Sequence, residues 1–213
     1  LDTVHDELVV GNYGGLITVH GRTAHGAVAP LRVISGAALA GGRIRVAVDT
    51  VHDELFALND GASAIAVFTR AASGEAVPLR TLSLQSSKSL ALSLAIDPVN
   101  DELVVGTSTS ILVFARTASG DALPRRRIAG DATDLRWPSS VAVVQNELVA
   151  TDGLSSHVLV YPRTADGNVA PTRTLGGDAT GLSSPTSLAA GEAELFVGND
   201  DDALLVFPRT ATG

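Results

Sequence analysis

Short apolar runs separated by turn residues make up the chain from one end to the other. In its central stretch, candidate strands fall at 90–96, 102–105, 110–116 and 124–129. They are rich in Val, Ile, Leu and Phe and are separated by Gly, Pro, Asn, Asp and Ser. Branched and aromatic side chains fit a pleated surface, and the intervening residues supply the backbone angles of tight turns. No window sustains the 3.6-residue apolar period that an amphipathic helix requires. Ile111-Leu112-Val113-Phe114 is apolar throughout rather than alternating, which predicts a strand buried on both faces.

The same pattern returns along the chain. His5-Asp6-Glu7-Leu8-Val9-Val10-Gly11-Asn12 is echoed at 52–59, 100–107, 145–152 and 192–199, with Leu8, Leu55, Leu103, Leu148 and Leu195 spaced 45 to 48 residues apart. Arg22-Thr23-Ala24-His25-Gly26 is echoed from Arg70, Arg116, Arg163 and Arg209, at intervals of 46 to 48 residues. A Pro-x-Arg marker ends at Arg32, Arg80, Arg126 and Arg173. Three markers in one register divide the chain into units of approximately 1–36, 37–83, 84–130, 131–177 and 178–213. Four short strands per unit at this period are the signature of β-propeller blades, since leucine-rich repeats are shorter and helical solenoids need helix periodicity. The expected fold is therefore all-β: one β-propeller domain over 1–213 with about five four-stranded antiparallel blades. The first unit opens at the end of an inner strand and the last stops before an outer strand, so the first and last blades are expected to be incomplete. Either five blades close with two thin ones, or further blades or another chain complete the ring.

Gly181-Leu182-Ser183-Ser184-Pro185-Thr186-Ser187-Leu188-Ala189-Ala190, followed by Glu194-Leu195-Phe196-Val197-Gly198-Asn199 and Ala203-Leu204-Leu205-Val206-Phe207, resembles the NHL-type propeller repeat. That family's pattern runs from a Pro-containing inner strand, through a strand ending in Asp or Asn, to a strand ending in Val-Phe. The Gly-x-Ala-Thr-x-Leu-x-x-Pro loop is intact at 130–138 and 177–185, whereas the loops at 36–43 and 83–89 lack its Thr and Pro. The resemblance implies a fold, and a fold of this kind carries many functions.

Composition narrows the function classes. Hydrophobic residues make up 45% and charged residues 18%, with mean hydropathy +0.26, which excludes a disordered chain. Fifteen Lys and Arg against 23 Asp and Glu leave a net charge of −8, so no basic footprint exists for nucleic acid. The longest apolar stretch is about eight residues, far short of the ~20 of a membrane span; no membrane insertion is expected. The absence of Cys removes disulfides, thiolate metal sites and Cys nucleophiles. Gly-x-Ser-x-Gly, Ser-x-x-Lys, Walker, Rossmann and His-Glu-x-x-His signatures are all missing.

In a propeller, the loops after the second strand and before the inner strand would emerge on one face around a central channel. That selects 12–15, 60–63, 107–110, 152–156 and 199–202, with Lys88 and Arg136. Asn12, Asn59, Asp152, Asn199 and Trp137 are the candidate ligand-binding residues. Turn Asn and Asp also serve the backbone itself, and Trp137, the single Trp, is read as a cap near the channel mouth with ligand contact as the alternative. Asp200, Asp201 and Asp202 gather oxygen ligands that suit a hard cation such as calcium. Against that, adjacent Asp residues on one short loop cannot all face one ion. No cofactor is expected, with calcium as the one candidate. His5 and His52 share a repeat position with Asn100, which argues for a turn role. The recurrent arginines are expected around the rim, where carboxylates such as Asp6, Asp53 and Asp101 also recur, in inter-blade or intra-blade ion pairs worth about 0 to 1 kcal/mol each when exposed.

The leading expectation is a non-catalytic scaffold presenting loops to a protein, peptide or small ligand. NHL-like propellers are similar in fold to calcium-dependent lactonases and peptide-amidating lyases, which keeps a metal-dependent enzyme as the alternative. A structural segment of a larger surface protein is the third reading.

Overall fold

In the computed structural model, which describes residues 1–87 and 89–213, the apolar runs become strands and the polar clusters between them become turns. The turn before each recurrent Glu-Leu shows why. Asp6, Asp53 and Asp101 sit at φ of 55, 58 and 55°, a left-handed conformation that Asp tolerates because its short side chain bonds locally. At the end of the preceding strand, Asp49 accepts from the backbone of Val51 and His52 and from His52 Nδ1 at 2.8 Å. Asp2 and His5 repeat the arrangement at 2.9 Å, and Asn100 Nδ2 replaces the imidazole on Asp97 at 2.8 Å. His5 and His52 thus act as turn donors.

Three sheets carry four antiparallel strands in chain order. The second comprises Ile44–Asp49, Glu54–Asn59, Ala64–Thr69 and Arg80–Ser83. The third comprises Ala91–Asp97, Glu102–Thr107, Ile111–Ala115 and Arg126–Ile128. The fourth comprises Pro138–Val144, Glu147–Asp152, His157–Pro162 and Arg173–Leu175. The first sheet has three strands of its own, Glu7–Gly11, Ile17–Gly21 and Arg32–Ser35, and the fifth has Ser187–Ala190, Glu194–Gly198 and Leu204–Pro208. These are the five blades of an all-β propeller, with the first and last incomplete. Helical structure among the described residues is confined to four 3₁₀ turns of three residues each.

The chain divides into two compact units, Leu1–Lys88 with Thr117–Ala122, and Ser89–Arg116 with Leu123–Gly213. The excursion at 117–122 has a specific cause. Gly120 lies parallel to the outer strand of the second sheet, donating to Thr81 O at 2.8 Å and accepting from Ser83 N at 2.8 Å. Within the first unit, Gly74 and Glu75 add to the first sheet in the same way. Within the second, Gly167 bonds Arg127 and Ala129, and Gly213 bonds Thr174 and Gly176. The Arg-x-Ala-x-Gly marker is therefore a hook onto the outer strand of the preceding sheet. Its glycines are needed, since Gly74, Gly120 and Gly167 take φ of 67, 59 and 77°.

Each unit has its own core. Val9, Ile17, Ile34, Leu39, Ile44 and Leu55 pack together in the first. Val104, Ile111, Ile128, Leu148, Leu159 and Tyr161 form one cluster of the second, and Val149, Val158, Leu175, Leu195 and Val197 form another. Full burial of such a side chain stabilises by about 1.5 to 3 kcal/mol. Burial of Tyr161 pushes its phenol pKa upward, and its hydroxyl donates to Thr133 O in the loop before the fourth sheet. Ile111, Leu112, Val113 and Phe114 are all buried, as their unbroken apolar run predicts, and strands Glu54–Asn59 and Glu102–Thr107 are buried along their whole length, polar ends included. Glu194–Gly198 instead alternates, and Phe196 stays 38% exposed.

The arginines form ion pairs within and between successive sheets, with Arg22 meeting Asp6 and Arg116 meeting Asp101 at 2.8 Å, but the pairs with glutamates are more buried than surface pairs. Arg70 Nε does meet Asp53 at 2.8 Å, but its Nη1 reaches Glu7 at 3.1 Å on the adjacent sheet, where Arg32 also binds at 2.8 Å. In the second unit, Glu102 takes a bidentate grip from Arg126 at 2.6 and 2.9 Å and a third bond from Arg163 at 2.9 Å. Glu147 takes Arg173 at 2.8 Å and Arg209 at 2.5 Å. The Glu102 side chain is only 7% exposed, so this clamp is a buried network and not a surface pair.

Hydrogen bonding and charge from Arg126, with Arg163, hold the Glu102 carboxyl below its ordinary range despite burial, and Arg32 with Arg70 does the same to Glu7. For Glu147 the largest influence is burial, which pushes upward, and Arg173 and Arg209 together outweigh it. A carboxylate whose folded pKa is depressed stabilises the fold above the unfolded value, 4.5, and that contribution is lost as pH falls through the folded pKa. The urea midpoint is therefore expected to hold between about pH 5 and 8 and to drop below 4.5. E102Q should cost about 3 kcal/mol at neutral pH and shrink the acid-dependent drop, both read from urea unfolding followed by circular dichroism.

Candidate functional site

In the second, fourth and fifth sheets the residue that closes the strand before the central hairpin bonds to the preceding loop. Asn59, 1% exposed, donates through Nδ2 to Ala38 O and Ala40 O and accepts at Oδ1 from Gly61 N and Ala62 N. Asn199 accepts from Ser183 N at 3.2 Å and donates to Gly181 O at 2.8 Å. Asn12 donates to Val10 O at 3.2 Å and Thr18 Oγ1 at 3.3 Å. Each works as a brace for backbone groups that a 3₁₀ turn or tight hairpin leaves without partners.

Asp152 is the charged version of this brace. Fully buried, it accepts from Arg136 N and Trp137 N, both at 2.7 Å, through one oxygen. The other oxygen accepts from Ser155 N and Ser155 Oγ, both at 3.0 Å. Gly153 N donates to Trp137 O at 3.0 Å and closes the loop. Charge-assisted bonds to backbone N–H groups fix a loop firmly, so Trp137 stands on a rigid seat. Trp137 is 38% exposed.

Beside that ring lies an open, largely apolar cavity of about 390 Å³, lined by Trp137, Ser139, Gly153, Leu154, Pro185 and Thr186 with Ser184. Its floor is held by Ser139 Oγ, which donates to Pro185 O at 2.5 Å and also approaches Thr151 Oγ1 at 3.1 Å. Ser156 Oγ accepts from Ser184 N at 3.1 Å. Gly153 lines the cavity beside the ring, where a Cβ would make ordinary van der Waals contact with Trp137 Cδ1 at 3.5 Å. Leu154 is 70% exposed on the rim. The volume falls within the range of small-ligand and side-chain pockets. Chemically the cavity can bury an apolar group and offer hydroxyls at its edge.

Of the residues that the sequence singles out, then, Trp137 and Asp152 come together, one lining the cavity and the other holding it. Asn12, Asn59 and Asn199 brace loops elsewhere. Asp200, Asp201 and Asp202 form an exposed turn, with Asp202 at φ 64°. Among the described residues no group of three or more His, Asp or Glu side chains is placed to hold one metal ion. Arg136 contributes its backbone N–H, and Lys88 lies outside the described residues. Sequence reasoning missed Ser139 and Pro185; Leu154 lay in the selected loop 152–156 without being singled out, although it is an apolar residue in a turn whose counterparts are polar or small.

No protein-family model and no curated protein sequence matches the chain. Among solved structures it is similar to Raptor of Chaetomium thermophilum, with TM-score 0.70 and 18% identity over 95% of this chain and 18% of that one. It is also similar to Sqt1 of Saccharomyces cerevisiae, with TM-score 0.65 and 11% identity over 100% and 57%. A computationally designed protein, Ika8, gives TM-score 0.60 and 17% identity over 95% and 55%. The chain thus spans less than two thirds of each, and at these identities the likeness is one of fold.

D152A would leave four donors without their acceptor. It is expected to destabilise the second unit by about 2 kcal/mol and to red-shift the emission of Trp137, which as the sole Trp reports on this loop alone. Fluorescence-detected unfolding measures both effects.

Proposed function

We propose that this propeller is a non-catalytic binding scaffold, and that the Trp137 cavity takes an aromatic or proline side chain of a protein or peptide partner. The observation that carries the reading is a half-exposed Trp, rigidly seated by Asp152, facing an apolar cavity with Leu154 at its rim. Aromatic anchors in preorganised pockets dominate binding energies, because little conformational freedom is lost when they engage. The net charge of −8 disfavours nucleic acid as that partner, and the NHL-like repeat pattern is in keeping with a scaffold role.

Peptides displayed on phage can be selected on the native protein and depleted on W137A. The expected result is a shared aromatic or proline anchor, a blue shift of Trp137 emission on binding, and affinity for W137A weaker by about thirtyfold. Selected peptides that bind W137A and L154S as well as the native protein would defeat this reading.

A further inference from the structure

The inner strand of the second sheet departs from its repeat at one position. In the third, fourth and fifth sheets, Ser93, Ser140 and Ser187 lie opposite Gly106, Thr151 and Gly198, near the end of the neighbouring strand. The corresponding pair in the second sheet is Arg45 and Leu58. A guanidinium thus stands where the repeat otherwise carries a short hydroxyl. Two residues earlier, Arg43 pairs with Tyr13 in an isolated bridge flanked by bonds from Gly14 N to Gly42 O and from Ile44 N to Asn12 O, both 3.3 Å.

The charge introduced here is only partly answered. Its carboxylate is Asp60, whose Oδ1 accepts from Arg43 N at 2.8 Å. So anchored, Asp60 leaves Oδ2 3.6 Å from Arg45 Nη1, beyond hydrogen-bond reach, and Nη1 is buried with no hydrogen bond at all. The Arg45 side chain as a whole remains 26% exposed. Arg43 is exposed and meets no carboxylate among the described residues; its guanidinium lies over the Tyr13 ring, 6.0 Å from the centroid. Two guanidiniums therefore share one carboxylate that is itself occupied by the backbone. Burial and the charge of Arg43 hold Arg45 below the ordinary arginine pKa, with Asp60 opposing them, whereas bonds to Asp53 and Glu102 raise Arg70 and Arg126.

We propose that Arg45 and Arg43 form a binding site for a ligand oxyanion, a phosphate or a carboxylate, received on the solvent-facing part of Arg45 beside Arg43. The planar guanidinium fork matches either group, and a charge-assisted bond to a partly desolvated donor is worth more than one in open water. Tyr13 and the backbone bonds of Arg43 set the second cation in place before the anion arrives. All of these residues belong to the first unit, and the proposal stands whether or not the Trp137 cavity binds anything.

The intact chain, labelled with nitrogen-15, is titrated at low ionic strength with inorganic phosphate in one arm and malonate in the other. Binding is followed by nuclear magnetic resonance at the arginine Nε–Hε signals and at the backbone amides of residues 43, 45 and 60. Saturable shifts at Arg43 and Arg45 are expected in at least one arm, and the tighter arm identifies the oxyanion. R45Q should weaken binding by about tenfold or more, and R43Q should weaken it less. D60N keeps an acceptor for Arg43 N and removes the competing negative charge, so it should tighten binding about fivefold. R127Q, which removes an exposed arginine of the second unit, should leave affinity unchanged. Circular dichroism checks that each variant is folded; if R45Q were not, R43Q and D60N still decide, because their effects have opposite sign. No saturable shift with either anion at tens of millimolar, weaker binding by D60N, or equal losses in R45Q and R127Q would overturn the proposal.

Discussion

A sheet edge presents N–H and C=O groups that cannot be buried unpaired and cannot safely be left open, and the architecture of this chain answers that constraint. The solution is to lend each sheet a piece of the following repeat. Gly74, Gly120, Gly167 and Gly213 each hook onto the outer strand of the sheet before them. In three visible cases an Arg near the start of the hook also reaches a Glu on that sheet. Backbone pairing and a buried, charge-assisted clamp thus act at the same place. Neither would hold as well alone: a two-residue bridge is short, and a buried carboxylate without both arginines would be an uncompensated charge.

The number of sheets, their incomplete ends and most strand positions were legible because all follow from period and apolar pattern. The strand predicted at 110–116 is Ile111–Ala115, and that at 102–105 extends to Glu102–Thr107. The clamp was not legible. Glu7, Glu102 and Glu147 sit just after a turn, where a carboxylate reads as a solvated residue, and only the antiparallel register brings Arg32, Arg126 and Arg173 over them. Recurrence flagged the arginines, but sequence alone could not distinguish the exposed Asp6 partner of Arg22 from a buried glutamate.

The candidate site shows the same division. Trp137 and Asp152 stand out in sequence, one as the sole Trp and the other as a polar residue at a repeated strand end. What makes them a site is a junction between turns of successive repeats, where Ser139 reaches Pro185 some 46 residues away. No local pattern encodes that contact. Asn59 illustrates the converse. Its polarity suggested a surface role, yet the Ala37–Leu39 turn leaves carbonyls nearby that Nδ2 must satisfy, which draws the side chain inward.

The hooks have an evolutionary corollary. Since the boundary between the two compact units falls inside a repeat, as the assignment of 117–122 to the first unit shows, and each hook lies in the repeat after the sheet it fastens, duplication of one genetic period carries half of one blade's fastening and half of the next. Lengthening such an array has a direction. Every newly appended copy arrives with the fastener for the blade already waiting at the C-terminal side, so growth there leaves all earlier joints intact.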